Sequence, residues 1–355
     1  MSHPYRDLPP QHFWSRVVAA PAVHEIDPVV NGRVQVSAAE PIATLGSCFA
    51  QHLARFLQRS GLSYFVTEDG PATMEPDERL RRNYGVFSAR YGNVYTTRQA
   101  VQLFDRAYGP LEPALGQAPW PSGDRWVDPF RPAIEPDGFA SAEALAADRE
   151  AHLQAVRRMF EEASVVVFTL GLTEGWRARS DGAVFPVVPG AAGGTFDPSE
   201  HEFVNFGLSE VLDDLLGFVD RVHDVNGSVR FLLTVSPVPL IATYTDKHVL
   251  TATTYSKSVL RVAAAEAERQ RDFVEYFPAY EIITGPAAGG RYFAPDLRSI
   301  TDVGVAHVMR VFARHHVMGR DGDDGVFESA LIASEISRVG DLVCDEEMLE
   351  PGVTG

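Results

Sequence analysis

The chain has 355 residues, with 31 Lys and Arg against 48 Asp and Glu, a net charge of −17 at pH 7 and a 45% hydrophobic fraction. That is enough apolar material for a sizeable core, and the negative balance repels phosphate backbones, so no nucleic-acid partner is expected. Apolar runs such as VVVF at 165–168 are far shorter than the ~20 residues a bilayer crossing needs, and the start, MSHPYRDLPP, is polar and Pro-rich, so a cytoplasmic protein without membrane insertion is expected.

In chain order, residues 1–20 read as an N-terminal extension, and residues 21–318 as one domain. Short apolar runs rich in β-branched residues mark strands at Ile42–Leu45, Ser63–Val66, Val165–Leu170, Arg230–Val235 and Phe273–Ile283, the last interrupted by Pro278. Helical periodicity fills the gaps at Phe49–Gln58, Thr97–Tyr108, Ser141–Glu162, Ser209–Val222, Tyr255–Gln270 and Thr301–His315. Strands that alternate with helices predict an α/β fold with a mostly parallel five-stranded sheet, because parallel neighbours need crossover connections. Ligands of such sheets bind beyond the carboxyl ends of the strands. Two segments, about 67–140 and 177–207, are rich in Pro, Gly and aromatics and read as lid-like insertions. Residues 319–355 are expected to form a C-terminal helix and an acidic tail.

Cys48 and Cys344 are far apart and show neither CxxC nor histidine-rich spacing, so no disulfide framework, metal site or cofactor is expected. Gly46-Ser47-Cys48 falls at the junction of the first strand and the first helix. There Ser47 is a good N-cap by residue type, and Cys48 opens the helix, where backbone N–H groups and the helix dipole favour a thiolate or an oxyanion. A capped helix start with a small buried cysteine satisfies the same local pattern.

The stretch GSCFA at 46–50, together with NYGVFSARYGNVYTTRQ (83–99), DPFRP (128–132), VFTLGLTEGW (167–176), LTVSPVPL (233–240), HVLTATTYSKSVLR (248–261) and YFPAYEI (276–282), resembles the GSCFA family. That family looks like a branch of the SGNH or GDSL hydrolase superfamily, whose members are three-layer α/β/α sandwiches acting as esterases, lipases and O-acyltransferases, often on carbohydrate. The resemblance implies an acyl-transfer enzyme acting on a carbohydrate or other small hydroxylated substrate through a covalent acyl intermediate. A rival reading is a non-catalytic protein that binds a glycan or acylated ligand in the same cleft.

Laid over Gly-Asp-Ser-Leu, the Gly46-Ser47-Cys48-Phe49 stretch implies Cys48 as nucleophile, with Ser47 as the rival. Gly85 and Asn83 match the second block, which supplies oxyanion donors, and Gly171, Thr173 and Glu174 match the third, with Thr in place of Asn. The fourth block, Asp-x-x-His, reads Asp296 to Ser299, so its histidine is missing. His248, on the expected active edge, is then the candidate base and His307 a weaker one; Asp296 or Glu281 would orient it. Lys257 is a candidate for holding an anionic group or stabilising a thiolate. Arg90, Tyr91, Asn93, Arg131 and Trp176 are candidates for contacting a sugar ring or carboxylate.

Overall fold

The computed structural model describes residues 3–109, 118–318, 342 and 344–349. The chain divides into two compact units, a larger one of residues 38–276 and 341–355 and a smaller one of residues 1–37 and 277–340. The expected C-terminal helix lies outside the described residues.

The larger unit runs β1 (Ile42–Gly46), α1 (Ala50–Arg59), α2 (Pro76–Arg81), α3 (Thr97–Tyr108), β2 (Trp120–Ser122), β3 (Arg125–Val127), α4 (Ala142–Glu162), β4 (Val165–Leu170), β5 (Glu174–Ala178), β6 (Val184–Phe185), β7 (His201–Asn205), α5 (Leu208–Val225), β8 (Arg230–Val235), α6 (Val249–Gln270) and β9 (Val274–Tyr276). β1, β4, β8 and β9 form a parallel sheet in the order β1-β4-β8-β9. Every residue of β1 and β4 is buried, as strands covered on both faces require.

The expected strand at Ser63–Val66 reduces to a single parallel bridge between Tyr64 and Ile42, so the described sheet has four strands rather than five. β9 ends at Tyr276, ahead of Pro278, which has no N–H to continue a ladder. Segment 177–207 contains the end of β5 and all of β6 and β7, which build a second, antiparallel sheet, and β2 and β3 form a small hairpin within 67–140.

Segment 67–140 also contributes to a buried ionic cluster. Arg90, fully buried, binds Asp148, Glu135 and Glu68, and Arg131 binds Asp128 and Asp148. Despite burial, the His152 and Arg90 hydrogen bonds and the nearby Arg131 charge bring the Glu68 carboxyl down to about 2. Paired charges of this kind are retained because each guanidinium forks between carboxylates.

In the smaller unit, α7 (Ala279–Thr284) and α8 (Asp302–His316) pack together. Val36 pairs with Val317, Asp27 receives Arg314 and His315, and Phe277 meets the rings of Phe312 and His316 edge-on or nearly so.

Candidate functional site

The site begins at a backbone constraint. Gly46, the last residue of β1, has φ +131, and a Cβ there would stand 2.1 Å from the Thr169 carbonyl oxygen. Only glycine lets β1 turn out of the sheet at this point while Ser47 N donates to Thr169 O at 3.1 Å and Gly46 O accepts from Val94 N at 2.8 Å. Gly171, just past the end of β4, has a related function: a Cβ there would lie 3.1 Å from the Ser47 Cβ and 2.9 Å from Tyr95 O. The two glycines bring the ends of β1 and β4 against each other and place Ser47 and Cys48 at the carboxyl edge of the parallel sheet.

The expected capped helix start takes a different form. Ser47, Cys48 and Phe49 make a turn in which Ser47 O accepts from Ala50 N, and α1 begins at Ala50 with no side-chain cap. The Ser47 hydroxyl, 3% exposed, has no hydrogen-bond partner among the described residues. Such an orphan is uncommon in a buried hydroxyl and marks a group that still has a bond to make.

Ser47 and Cys48 line a cavity of about 10 Å³ together with Tyr95, Gly171, Leu172, Ser236, Val238, Leu240, Lys257 and Glu346. That is room for about one water molecule. Lys257, 3% exposed on α6, donates from Nζ to Gly171 O at 2.6 Å, which aims its ammonium at the turn between β4 and β5. A buried cation, a thiol and an unpartnered hydroxyl therefore face one space. No histidine is among the residues that line it.

Leu172, Leu240 and Glu346 also line a second, larger cavity of about 540 Å³. This groove has Trp176 and Phe203 from the β5–β7 sheet on one side, Tyr244 and Thr243 from the loop after β8 on another, and Pro186 to Ala191 as a third wall. Trp176 meets Tyr244 at 4.8 Å, Phe196 at 5.2 Å and Phe203 at 5.7 Å between ring centroids. Glu174 sits in the wall, where Thr243 Oγ1 donates to it at 2.7 Å and Tyr244 N at 3.3 Å. Burial raises its carboxyl above the usual range, against the pull of those two hydrogen bonds.

The partition between the two cavities includes a residue from the far end of the sequence. Residues 345–349 form a short 3-10 helix, and Glu346, Met348 and Leu349 line the groove. This strap is anchored by Asp345, which is 1% exposed, accepts from Asn93 Nδ2 at 2.8 Å and donates its own N–H to the Tyr95 hydroxyl at 3.1 Å. The expected acidic tail is thus, over 344–349, a packed wall of the site. Its other carboxylate oxygen, Oδ1, is buried without a partner. Burial, opposed by the Asn93 bond and reinforced by Cys344, pushes the Asp345 carboxyl up to about 6.

Of the residues expected at the site, Cys48, Ser47, Gly171 and Lys257 meet at the small cavity and Glu174 at the groove. Gly171 N–H is committed to Tyr95 O, and Thr173 is committed on both sides, its N–H to Ser256 Oγ and its hydroxyl to Asn205 Oδ1. Asn83 and Gly85 are not brought to the cavity: Asn83 Nδ2 donates to Ala133 O, Gly85 O accepts from Gln58, and both residues have positive φ. His248 is exposed and caps α6, its Nδ1 accepting from Leu250 N at 3.2 Å.

Glu281 and Asp296 belong to the smaller unit. Asp296 closes its own loop by accepting from Arg298 N, Ser299 N and Ser299 Oγ. There too lies His307, held between the Tyr292 hydroxyl and Ile26 O and brought down to about 4 chiefly by burial. Arg90 and Arg131 are spent in the ionic cluster, and Tyr91 and Asn93 are buried, so of the five candidate sugar contacts Trp176 alone lines the groove.

Tyr95, Leu172, Leu240 and the strap were not singled out from the sequence. Tyr95 did lie within a recognisable motif, whereas Asp345 and Glu346 stand in an acidic stretch that composition alone assigns to solvent. No curated protein and no solved structure matches the chain. The pattern that defines the GSCFA family matches residues 41–312, which include the glycine-built turn, both cavities apart from the strap, and the ionic cluster, and the chain belongs to the GSCFA family.

Proposed function

We propose that the chain is an acyl-transfer enzyme, an esterase or O-acyltransferase with the three-layer architecture of the SGNH hydrolases, acting on a carbohydrate or other small hydroxylated substrate. The observation that carries this reading is the meeting of Cys48, Ser47 and the buried Lys257 in one cavity at the carboxyl edge of the parallel sheet. An ammonium beside a thiol favours the thiolate, which removes the need for a histidine base at the first step. Cys48 attacks the acyl carbonyl, an S–C bond forms, the C–O bond breaks, and the alcohol departs with the proton the thiol gave up. Water or a sugar hydroxyl then attacks the thioester, and Cys48 takes back a proton as it leaves. The unpartnered Ser47 hydroxyl is suited to donate to the oxygen that becomes negative in both steps.

A binding protein remains the second reading, favoured by the absence of histidine from the cavity lining and by the cavity's small size. The deciding experiment incubates the protein with a panel of p-nitrophenyl esters and follows acylation by intact mass. The same assay is run on Cys48→Ala, Ser47→Ala, Lys257→Met and His248→Ala. Acylation that is lost with Cys48→Ala and slowed at least about tenfold by Lys257→Met supports the mechanism. Labelling that survives Cys48→Ala but vanishes with Ser47→Ala transfers the nucleophile to Ser47; loss with His248→Ala restores a histidine base. No acylation with any ester favours the binding protein.

A further inference from the structure

We propose that the 540 Å³ groove is the seat of the acyl chain, and that the chain it takes is uncharged and apolar; this rests on the acyl-transfer reading and names the substrate class of the same site. Four observations converge on it. The volume lies within the range of sites that hold a small organic ligand. The groove is walled by Trp176, Phe196, Phe203 and Tyr244, and two of these rings, Phe196 at 38% and Tyr244 at 67%, are exposed as large apolar residues seldom are without a ligand or partner to cover them.

The third observation is electrostatic. The groove's only ionisable walls among the described residues, apart from the Tyr244 phenol, are the carboxylates Glu174 and Glu346, and no Lys, Arg or His lines it. An anionic ligand would meet like charge with no cation to offset it, which excludes phosphorylated and carboxylate groups and leaves a neutral chain. The fourth is continuity: Leu172, Leu240 and Glu346 belong to both cavities, so a chain lying in the groove ends against the wall behind which Ser47 and Cys48 stand. The arrangement also suits turnover, because an acyl chain held as an ester is neutral, while the carboxylate that hydrolysis releases is repelled by the same two glutamates.

The test measures binding by calorimetry to the full chain carrying Cys48→Ala and Ser47→Ala, so that the result does not depend on turnover. Linear amides from butanamide to decanamide serve as uncharged probes, with octanoate and octyltrimethylammonium as charged comparators. Affinity is expected to rise about fourfold per methylene until the groove is filled. Octanoate at pH 8 is expected to bind at least about tenfold more weakly than octanamide, and Trp176→Ala to cut octanamide affinity at least about tenfold. If Trp176→Ala does not fold, Tyr244→Ala, with its exposed ring, gives the same comparison.

Affinity that ignores chain length, octanoate binding as tightly as octanamide, or tighter binding of octyltrimethylammonium would each overturn the proposal, the last by making the groove a cation site. Acylation of Cys48 with no chain-length preference would sink this inference alone. Chain-length-dependent binding without acylation by any ester would sink the enzymatic reading and leave the groove as the ligand site of a binding protein.

Discussion

Asp345 makes the strap sensitive to pH, and the size of the effect follows from its surroundings. An exposed aspartate titrates at 3.8, and burial in the docked strap pushes this one up to about 6. Docking therefore favours the protonated carboxyl. The strap is at full stability below about pH 4 and loses stability as the pH climbs through about 6; above pH 7 the loss is about 3 kcal/mol. Between pH 5 and pH 8 the change is about 1.4 kcal/mol, or about tenfold in the fraction of time the strap is undocked.

Substituting Asp345→Asn keeps an oxygen to accept from Asn93 and removes the titration. The unpaired amide N–H it introduces is a constant cost that leaves the pH slope untouched. Tyr95, Cys48 and Glu346, the other titratable groups near this carboxyl, are present in both proteins. The assay is the rate at which methyl methanethiosulfonate modifies Cys48, measured from pH 5 to pH 8 in a Cys344→Ser background with and without Asp345→Asn. Because both proteins carry the same reacting thiol, its own titration cancels in the ratio of rates. That ratio, parent over Asp345→Asn, is expected to rise about tenfold from pH 5 to pH 8. A ratio that stays flat or falls refutes the argument that a buried, half-satisfied carboxylate holds the strap down.

Two further substitutions test the frame around the site. Gly46→Ala puts a Cβ at 2.1 Å from Thr169 O in a left-handed backbone, so either the turn or the β1–β4 pairing must give way. A loss of at least about 3 kcal/mol in urea unfolding, or no soluble protein, is expected, and a variant of normal stability would show that the turn is not built as described. Arg90→Met leaves Glu68, Glu135 and Asp148 without their shared, fully buried partner. The expected cost is about 3–5 kcal/mol by the same measurement, and a neutral result would mean that those carboxylates find other cations.

The sheet was legible where the sequence was monotonous. VVVFTL and RFLLTV are apolar on every residue or nearly so, which happens when a strand is covered on both faces, and β4 and β8 have the expected bounds. Ser63–Val66 has the right residue types for a strand, yet only Tyr64 reaches β1, because strand propensity reports fitness for a pleated surface and not the presence of a partner along its whole length. β5 and β7, EGWRA and HEFVN, escaped notice for the opposite reason. They are half-exposed strands with charged residues in them, separated by a long glycine-rich stretch that reads as loop.

The same contrast runs through the site. Its backbone half was legible, because a positive-φ glycine between an apolar strand and an amphipathic helix leaves few alternatives, and Ser47, Cys48 and Gly171 are where that grammar puts them. Its electrostatic half was not, since a charge acts through space and its neighbours are set by tertiary contacts. Lys257 lies in the second turn of a long helix, where a lysine is ordinarily solvated; here it is buried and bonded to Gly171 O. Asp345 lies near the end of the sequence in an acidic stretch, where a carboxylate is ordinarily solvated, and here it is buried against Asn93. Burying an ammonium and a carboxylate costs free energy that the fold must offset elsewhere. A hydroxyl nucleophile would draw little from a neighbouring cation, whereas a thiol gains a stabilised anion from it, so the placement of Lys257 favours Cys48 over Ser47 on physical grounds independent of any motif.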